Sequence, residues 1–262
     1  LGRDVDNTWF VDHPIYNEAE YGRFALSKVS SKNTNTKVEA TFDIFKYDET
    51  SATFEEDKAY SSIMTNTSDA YVWSNYLEPG IYKLVETSTD DNYTKDTTPI
   101  YIKIEQGKIT DGRNFKSDYS LPGVGTVGIY LPTDDVETSD DNGTVKTPIK
   151  VENVPKGRFW IHKTGTWNGG AGQGGETENL SDVTFDIYKN QGDVGNTTLR
   201  VGTMKTGADG IAESPLLDEG IYWVIETGVS EDDKPEYGKG TYEPFQVEVK
   251  AGVTSRLDAV AK

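Results

Sequence analysis

"GRFALSK" (22–28) returns later in the chain as "GRFWIHK" (157–163). In each heptad an aromatic and an aliphatic residue alternate up to a lysine: Phe24, Leu26, Lys28, then Phe159, Ile161, Lys163. A period of two places the three side chains on one face of a β-strand. Two of the three are apolar, so that face belongs to a core. A lysine at its end is anomalous, because an ammonium is costly to bury unless it is paired, neutralised or consumed.

The repeat reaches well beyond the heptad. "ATFDIFKYD" (40–48) corresponds to "VTFDIYKNQ" (183–191), "YLEPGIYKLVET" (76–87) to "LLDEGIYWVIET" (216–227), and "PIYIKIEQGKIT" (99–110) to "PFQVEVKAGVT" (244–254). Matching blocks in the same order mean a tandem duplication. Strand alternation sets Phe42 with Ile44 and Phe185 with Ile187 on one face, and likewise Tyr82, Leu84, Glu86 and Tyr222, Val224, Glu226. Each "GIY" follows a turn, "EPG" or "DEG". Short strands at regular spacing predict an all-β chain of two tandem β-sandwiches with sequential or Greek-key connections. Abundant Thr, Tyr, Val, Asp, Asn and Gly fit the same class. "DKAYSSIM" (57–64) is the one stretch expected to form a helical turn or two.

Ahead of the second copy stands "TPIKVENVPKGRF" (147–159), in which Ile149, Val151 and Asn153 share a face and "NVPKG" reads as a short, stiff linker. The boundary is expected near Val154–Lys156. Domain one then spans 21–155 and domain two 156–262. Residues 1–20, with Trp9, Phe10 and Tyr16, are expected to be an N-terminal extension or the tail of an upstream domain. Residues 112–146 have no counterpart in the second copy and form an insert, expected to offer a binding surface.

The chain of 262 residues carries 44 acidic against 26 basic side chains. That balance argues against nucleic acid or an anionic membrane as partner, since both reward clustered Lys and Arg. The absence of cysteine excludes disulfides, zinc–thiolate sites and thiol nucleophiles. No apolar run reaches the roughly 18 residues of a membrane helix, and residues 1–20 lack a signal-peptide core. The chain reads as an excised mature segment.

The lysine anomaly acquires an answer once three polar groups are set side by side. Lys28, Glu86 and Asn153 end the apolar faces of an early, a middle and a late strand. Brought together in a core, they supply an amine, a carboxyl and a carboxamide. Burial lowers a lysine pKa and raises a glutamate pKa, so a neutral amine facing a neutral acid is the expected state. A neutral amine is a nucleophile. A protonated Glu86 donates a hydrogen bond to the Asn153 carbonyl and carries protons to departing ammonia. The product is a Lys28–Asn153 amide, made once, by the chain on itself. The competing reading of each Lys/Glu pair is an ordinary, partly buried salt bridge.

At this point the chain resembles the Cna-B-type (collagen-adhesin B-repeat) domains of Gram-positive surface adhesins and sortase-assembled pilins. The resemblance rests on the lysine of "FALSK", the E-box-like "YKLVET", and "VENVP", which looks like the family's Val-x-Asn-x-Pro ending; a second "YWVIET" strengthens it. It covers nearly all of residues 21–262. It implies immunoglobulin/prealbumin-like sandwiches, a glutamate-assisted Lys–Asn or Lys–Asp bond, and a stalk or adhesin role at the cell wall of a Gram-positive bacterium. No catalysis beyond single-turnover self-linkage is expected. The absence of a Tyr-Pro-Lys polymerisation motif favours an adhesin or stalk segment over a pilus backbone. The second module keeps Lys163 and Glu226, but no asparagine follows in "VEVKAGVTSRLDAVAK" (247–262). Alternation groups Leu257, Ala259 and Ala261, so the acceptor for Lys163 is either Asp258, with the frame shifted, or a residue beyond Lys262.

Other constellations carry less. His13 and His162, the only histidines, have no metal or triad spacing, and His162 is expected to face away from the core. "GTWNGGAGQGGETEN" (165–179) lacks the Lys-Ser/Thr of a phosphate loop and reads as a flexible loop. "TDDN" (89–92), "PTDD" (132–135) and "SDDNG" (139–143) lack the roughly twelve-residue spacing of a calcium loop. No metal or cofactor is expected. Expected partners are neighbouring domains of the same surface protein and a host extracellular-matrix protein or surface glycan. Two alternatives remain: the ligand-binding part of an adhesin, or an accessory domain of a carbohydrate-active enzyme with Trp9, Trp73 and Trp167 as exposed sugar platforms.

Overall fold

The computed structural model describes residues 2–3, 9–10, 21–133, 145, 147–167, 176–228 and 243–260. The strands of its first half are Gly2–Arg3 (β1), Trp9–Phe10 (β2), Arg23–Ser30 (β3), Ala40–Asp48 (β4), Thr53–Phe54 (β5), Ser61–Met64 (β6), Val72–Trp73 (β7), Gly80–Thr89 (β8), Ile100–Ile104 (β9), Ile109–Leu121 (β10), Gly125–Thr133 (β11) and Ile149–Asn153 (β12). Those of the second are Arg158–Trp167 (β13), Glu176–Asn179 (β14), Thr184–Tyr188 (β15), Arg200–Lys205 (β16), Ile211–Glu213 (β17), Gly220–Gly228 (β18), Phe245–Val249 (β19) and Thr254–Val260 (β20). A single 3₁₀ turn, Gln191–Asp193, is the one helical element among the described residues.

The chain divides into two compact units: Leu1–Val29, Lys37–Ser88 and Asp96–Val151 in the first, Ser30–Thr36, Thr89–Lys95 and Glu152–Lys262 in the second. The second unit holds two sheets, β14-β13-β17 with β20 beside β13, and β16-β15-β18-β19. Their inner faces close over Phe159, Ile161, Phe185, Ile187, Tyr222 and Val224, the residues that alternation selects. In the first unit Phe24, Leu26, Phe42, Ile44, Tyr82 and Leu84 form the equivalent core. Both are β-sandwiches.

The duplication persists in backbone detail. Gly22 and Leu77 exchange backbone hydrogen bonds of 2.9 and 2.8 Å, as Gly157 and Leu217 do at 2.9 Å. A Cβ on Gly22 would lie 2.4 Å from the Glu105 carbonyl oxygen, and one on Gly157 would lie 2.2 Å from that of Lys250. This close approach is why both heptads open on glycine. Ser74 Oγ accepts from Phe24 N and Ser214 Oγ from Phe159 N, each at 3.0 Å.

One expectation is corrected. Residues 61–64 of "DKAYSSIM" form β6, not a helical turn. Ile63 lies opposite Phe42 on β4 and is buried, so core burial overrides local propensity. The insert is built into the first sheet. Its described residues form the β10–β11 hairpin, with β10 parallel to β3 through Ile109↔Arg23 and β11 parallel to β9 through Tyr130↔Ile102. The sheet therefore runs β12-β3-β10-β11-β9-β8-β4-β5. Leu121 and Ile129 from the hairpin pack on Tyr47 and Ile81, making a second core on the face opposite Tyr82.

In the second unit β20 is parallel to β13 from Arg158↔Thr254 to Thr164↔Val260. In the first unit that role is divided. Ile109–Thr110 begins it beside β3, the chain leaves through the hairpin, and β12 resumes it. At the point of departure Gly112 N donates to Thr147 O at 2.9 Å, and a Cβ on Gly112 would meet the Pro148 carbonyl oxygen at 2.7 Å.

Candidate functional site

Lys28 is the third inward position of β3, after Phe24 and Leu26, and is 2% exposed. Its Nζ lies 2.6 Å from Glu86 Oε2, with both side chains closed off from solvent. Glu86 follows Tyr82 and Leu84 on the inner face of β8. The Phe42 ring centroid stands 5.3 Å from the same Nζ. Burial pushes the Lys28 ammonium below its ordinary 10.5, against the hydrogen bond and charge of Glu86 and the charge of Asp96. A lowered value enlarges the share of neutral, nucleophilic amine at any given pH.

The second unit repeats the pair. Lys163 Nζ lies 2.8 Å from Glu226 Oε2, with side-chain exposures of 6% and 4%. Glu226 Oε1 has no hydrogen-bond partner among the described residues.

Asn153 ends β12 beyond Ile149 and Val151, which pack into the core of the first unit, and is itself 1% exposed. Its Nδ2 donates to Thr89 Oγ1 at 2.8 Å, and its main-chain carbonyl accepts from Ser31 N at 2.9 Å. Lys28 and Glu86 belong to the first unit, Asn153 and Thr89 to the second. On β20, Asp258 is in register with His162 and Ala259 with Lys163. Leu257, in register with Ile161, packs on the core, so Asp258 takes the alternate position; its side chain lies outside the described residues. His162 is half-buried and bonds Asn179 through Nε2 at 2.7 Å. Sequence reasoning passed over Thr89: a threonine three residues beyond a glutamate carries no signal until its partner is known.

The other sites resolve as follows. Trp73 is half-buried, with the Arg23 guanidinium 3.8 Å from its ring centroid and Tyr71 edge-on at 5.7 Å, so it is no open sugar platform. The side chains of Trp9 and Trp167 lie outside the described residues, as does His13. Of the Gly-rich stretch, 165–167 and 176–179 pair as strands in β13 and β14, and 168–175 lie outside the described residues. Residues 134–144 of the acidic runs lie outside them too. No cluster of three or more His, Asp or Glu among the described residues suits a metal ion. No described helix is long and apolar enough to cross a membrane. In the first unit a cleft of about 990 Å³ opens between β5 and the hairpin tip, lined by Phe54, Tyr101, Lys83, Glu56 and Val124. Lys83, nearly buried at its wall, pairs with Glu56 and faces the rings of Phe45 and Phe54 at 5.2 and 5.0 Å.

No curated protein matches the chain. Among solved structures it is similar to the Bacillus anthracis TIE protein, at 20% identity and a TM-score of 0.34 over 92% of this chain and 33% of that one. It is similar to the minor pilin GBS52 of Streptococcus agalactiae at 12% identity and a TM-score of 0.39, over 91% of this chain and 94% of that one. For the shaft pilin SpaA of Lactobacillus rhamnosus GG the identity is 10% and the TM-score 0.42, over 92% and 98%. The chain thus spans about a third of the length of the first of these. The model of the SpaA prealbumin-like fold domain matches residues 22–118 and again 173–261, one stretch in each half of the duplication. With most of its length matched, and in accord with the adhesin and pilin resemblance of its motifs, the chain belongs to the SpaA family of prealbumin-like fold domains.

Proposed function

We propose that this chain is a force-bearing segment of an extracellular, wall-attached adhesin or pilus stalk of a Gram-positive bacterium, stapled by amides it makes on itself. The observation that carries this reading is a lysine and a glutamate paired at 2.6 Å with neither side chain reaching solvent, and a second, nearly buried pair at 2.8 Å in the other unit. Such a pair is a poor source of stability, because desolvation offsets its attraction. It is well suited to a reaction needing a neutral amine beside a proton carrier.

In the first module Lys28 Nζ attacks Asn153 Cγ, Glu86 moves the proton, and ammonia departs. In the second, Lys163 and Glu226 take the same roles and Asp258 accepts, with loss of water. That requires β20 to slip by one residue, which exchanges the faces of its side chains and brings Asp258 opposite Lys163. By analogy with a disulfide closing a loop of about 125 residues, the first amide stabilises by roughly 5 kcal/mol through the unfolded chain. Joining the first and last strands of a module also carries load past the strands between. Neighbouring domains of the same surface protein are the proposed partners.

The test is the intact mass of the denatured chain. A deficit of one ammonia, restored by Glu86→Ala or Asn153→Ala, is expected; the full sequence mass would overturn the first-module linkage.

The cleft beside the hairpin tip favours a second reading, the ligand-binding part of an adhesin, because aromatic and charged side chains converge there. A screen of matrix proteins and glycans against the intact chain and a hairpin-deleted form tests it; equal binding by both forms counts against the cleft.

A further inference from the structure

We infer that Thr89 is a positioning residue for the asparagine that becomes cross-linked, an inference that rests on the first-module linkage proposed above. Asn153 is 1% exposed at the end of β12, and its Nδ2 donates to Thr89 Oγ1 at 2.8 Å. A planar carboxamide held at one nitrogen cannot turn freely about its Cβ–Cγ bond. Thr89 thus fixes which face of Cγ an incoming amine meets and keeps the departing nitrogen on its own side. In a reaction whose rate rests on alignment in a closed site, that constraint acts on the chemical step.

The sequence supports a role tied to the asparagine. In the alignment of "YKLVETST" (82–89) with "YWVIETGV" (222–229), the position of Thr89 is taken by Val229, which has no hydroxyl. The same module has no asparagine in "TSRLDAV" (254–260). Hydroxyl and asparagine are present together in the first module and missing together in the second.

The step balances without Thr89 changing its own proton count. The Lys28 amine forms a bond to Cγ and the Cγ–Nδ2 bond breaks. Nδ2 leaves as ammonia with its two hydrogens and one from the lysine, carried across by the Glu86 carboxyl. As amide conjugation is lost, a lone pair develops on Nδ2. With one N–H directed at Thr89 Oγ1, that lone pair points away from Thr89 and is open to the arriving proton.

The experiment follows ammonia loss by intact mass after the unlinked, denatured full chain is diluted into folding buffer. Wild type, Thr89→Val and Thr89→Ser are compared, and intrinsic fluorescence follows folding in the same samples. Thr89→Val should slow ammonia loss about tenfold, the effect of one hydrogen bond, with the folding trace unchanged, and Thr89→Ser should restore the rate. A Thr89→Val rate equal to wild type overturns the inference. So does equal slowing in Val and Ser, which would assign the effect to packing of the methyl group. If Thr89→Val does not fold, Thr89→Ala is compared with Thr89→Ser on the same criteria. Absence of ammonia loss in wild type is a separate outcome: it overturns the linkage itself, and this inference with it.

Discussion

Lys28 and Glu86 meet at 2.6 Å with no side-chain surface left to water. Water therefore cannot screen the pair, and neither partner can be removed without stranding the other. Lys163 and Glu226, at 2.8 Å, come close to this condition, with 6% and 4% of their side chains exposed.

Breaking one side of such a pair should cost far more than removing both. In an Asp258→Ala chain, where no second-module amide forms by the proposed route, Glu226→Ala should destabilise the second unit by about 3–5 kcal/mol. Lys163→Met with Glu226→Leu should recover most of that loss, because no uncompensated charge is left buried. Denaturant unfolding monitored by intrinsic fluorescence measures both, and equal losses in the single and double variants would contradict the assignment.

Burial sets the pH response of Lys28. Its folded-state value lies below the 10.5 of the free side chain, so the native state binds fewer protons than the unfolded chain between those two values. In an unlinked Asn153→Ala chain, stability of the first unit should therefore rise with pH across that window and level off near 10.5. Below the window the burial penalty is felt in full. Lys28→Met should remove this part of the profile, as read from denaturation midpoints at a series of pH values. In the wild-type chain, the rate of ammonia loss should climb with pH and level off below 10.5, at the depressed Lys28 value.

The second module has its own signature. An amide from Lys163 to Asp258 removes water, so the intact mass should fall by one water in addition to one ammonia, and Asp258→Ala should restore the water alone. A wild-type mass lacking only ammonia would mean that β20 keeps the register in which Ala259 faces Lys163.

The outer core beneath the hairpin should behave as a true core. Ile129 is fully buried between β10 and β9, and Ile129→Ala should cost about 2–5 kcal/mol in the first unit while the unfolding of the second is unchanged. Proteolysis followed by mass mapping distinguishes the two transitions.

The duplication was legible because alternating strands and turn glycines repeat at the residue level. Phe24, Leu26 and Lys28 stand where period two puts them, and so do Tyr82, Leu84 and Glu86. The hairpin escaped because its inward residues, Leu121 and Ile129, pack on Tyr47 and Ile81, which occupy the apparently outer positions of their strands. A face that looks solvated in sequence becomes buried when a third layer covers it. Residues 57–64 were misread because a short segment follows its tertiary partner, here β4, over its own propensity. Thr89 was invisible because its meaning depends on Asn153, a contact that alternation along one strand cannot reveal.

The hydrogen bond from Gly112 to Thr147 gives the first module a narrow neck. Chain leaves the divided final strand and returns to it at almost one point. Gly112 sits tightly against Pro148 at this neck, where even one added methyl would collide. Beyond the neck the hairpin is anchored at its far end as well, through Leu121 and Ile129 in the outer core, while both halves of the final strand keep their place beside β3. The inserted length is thus held at both ends, and the first module gains a second buried layer from chain that enters and leaves its final strand at almost one place.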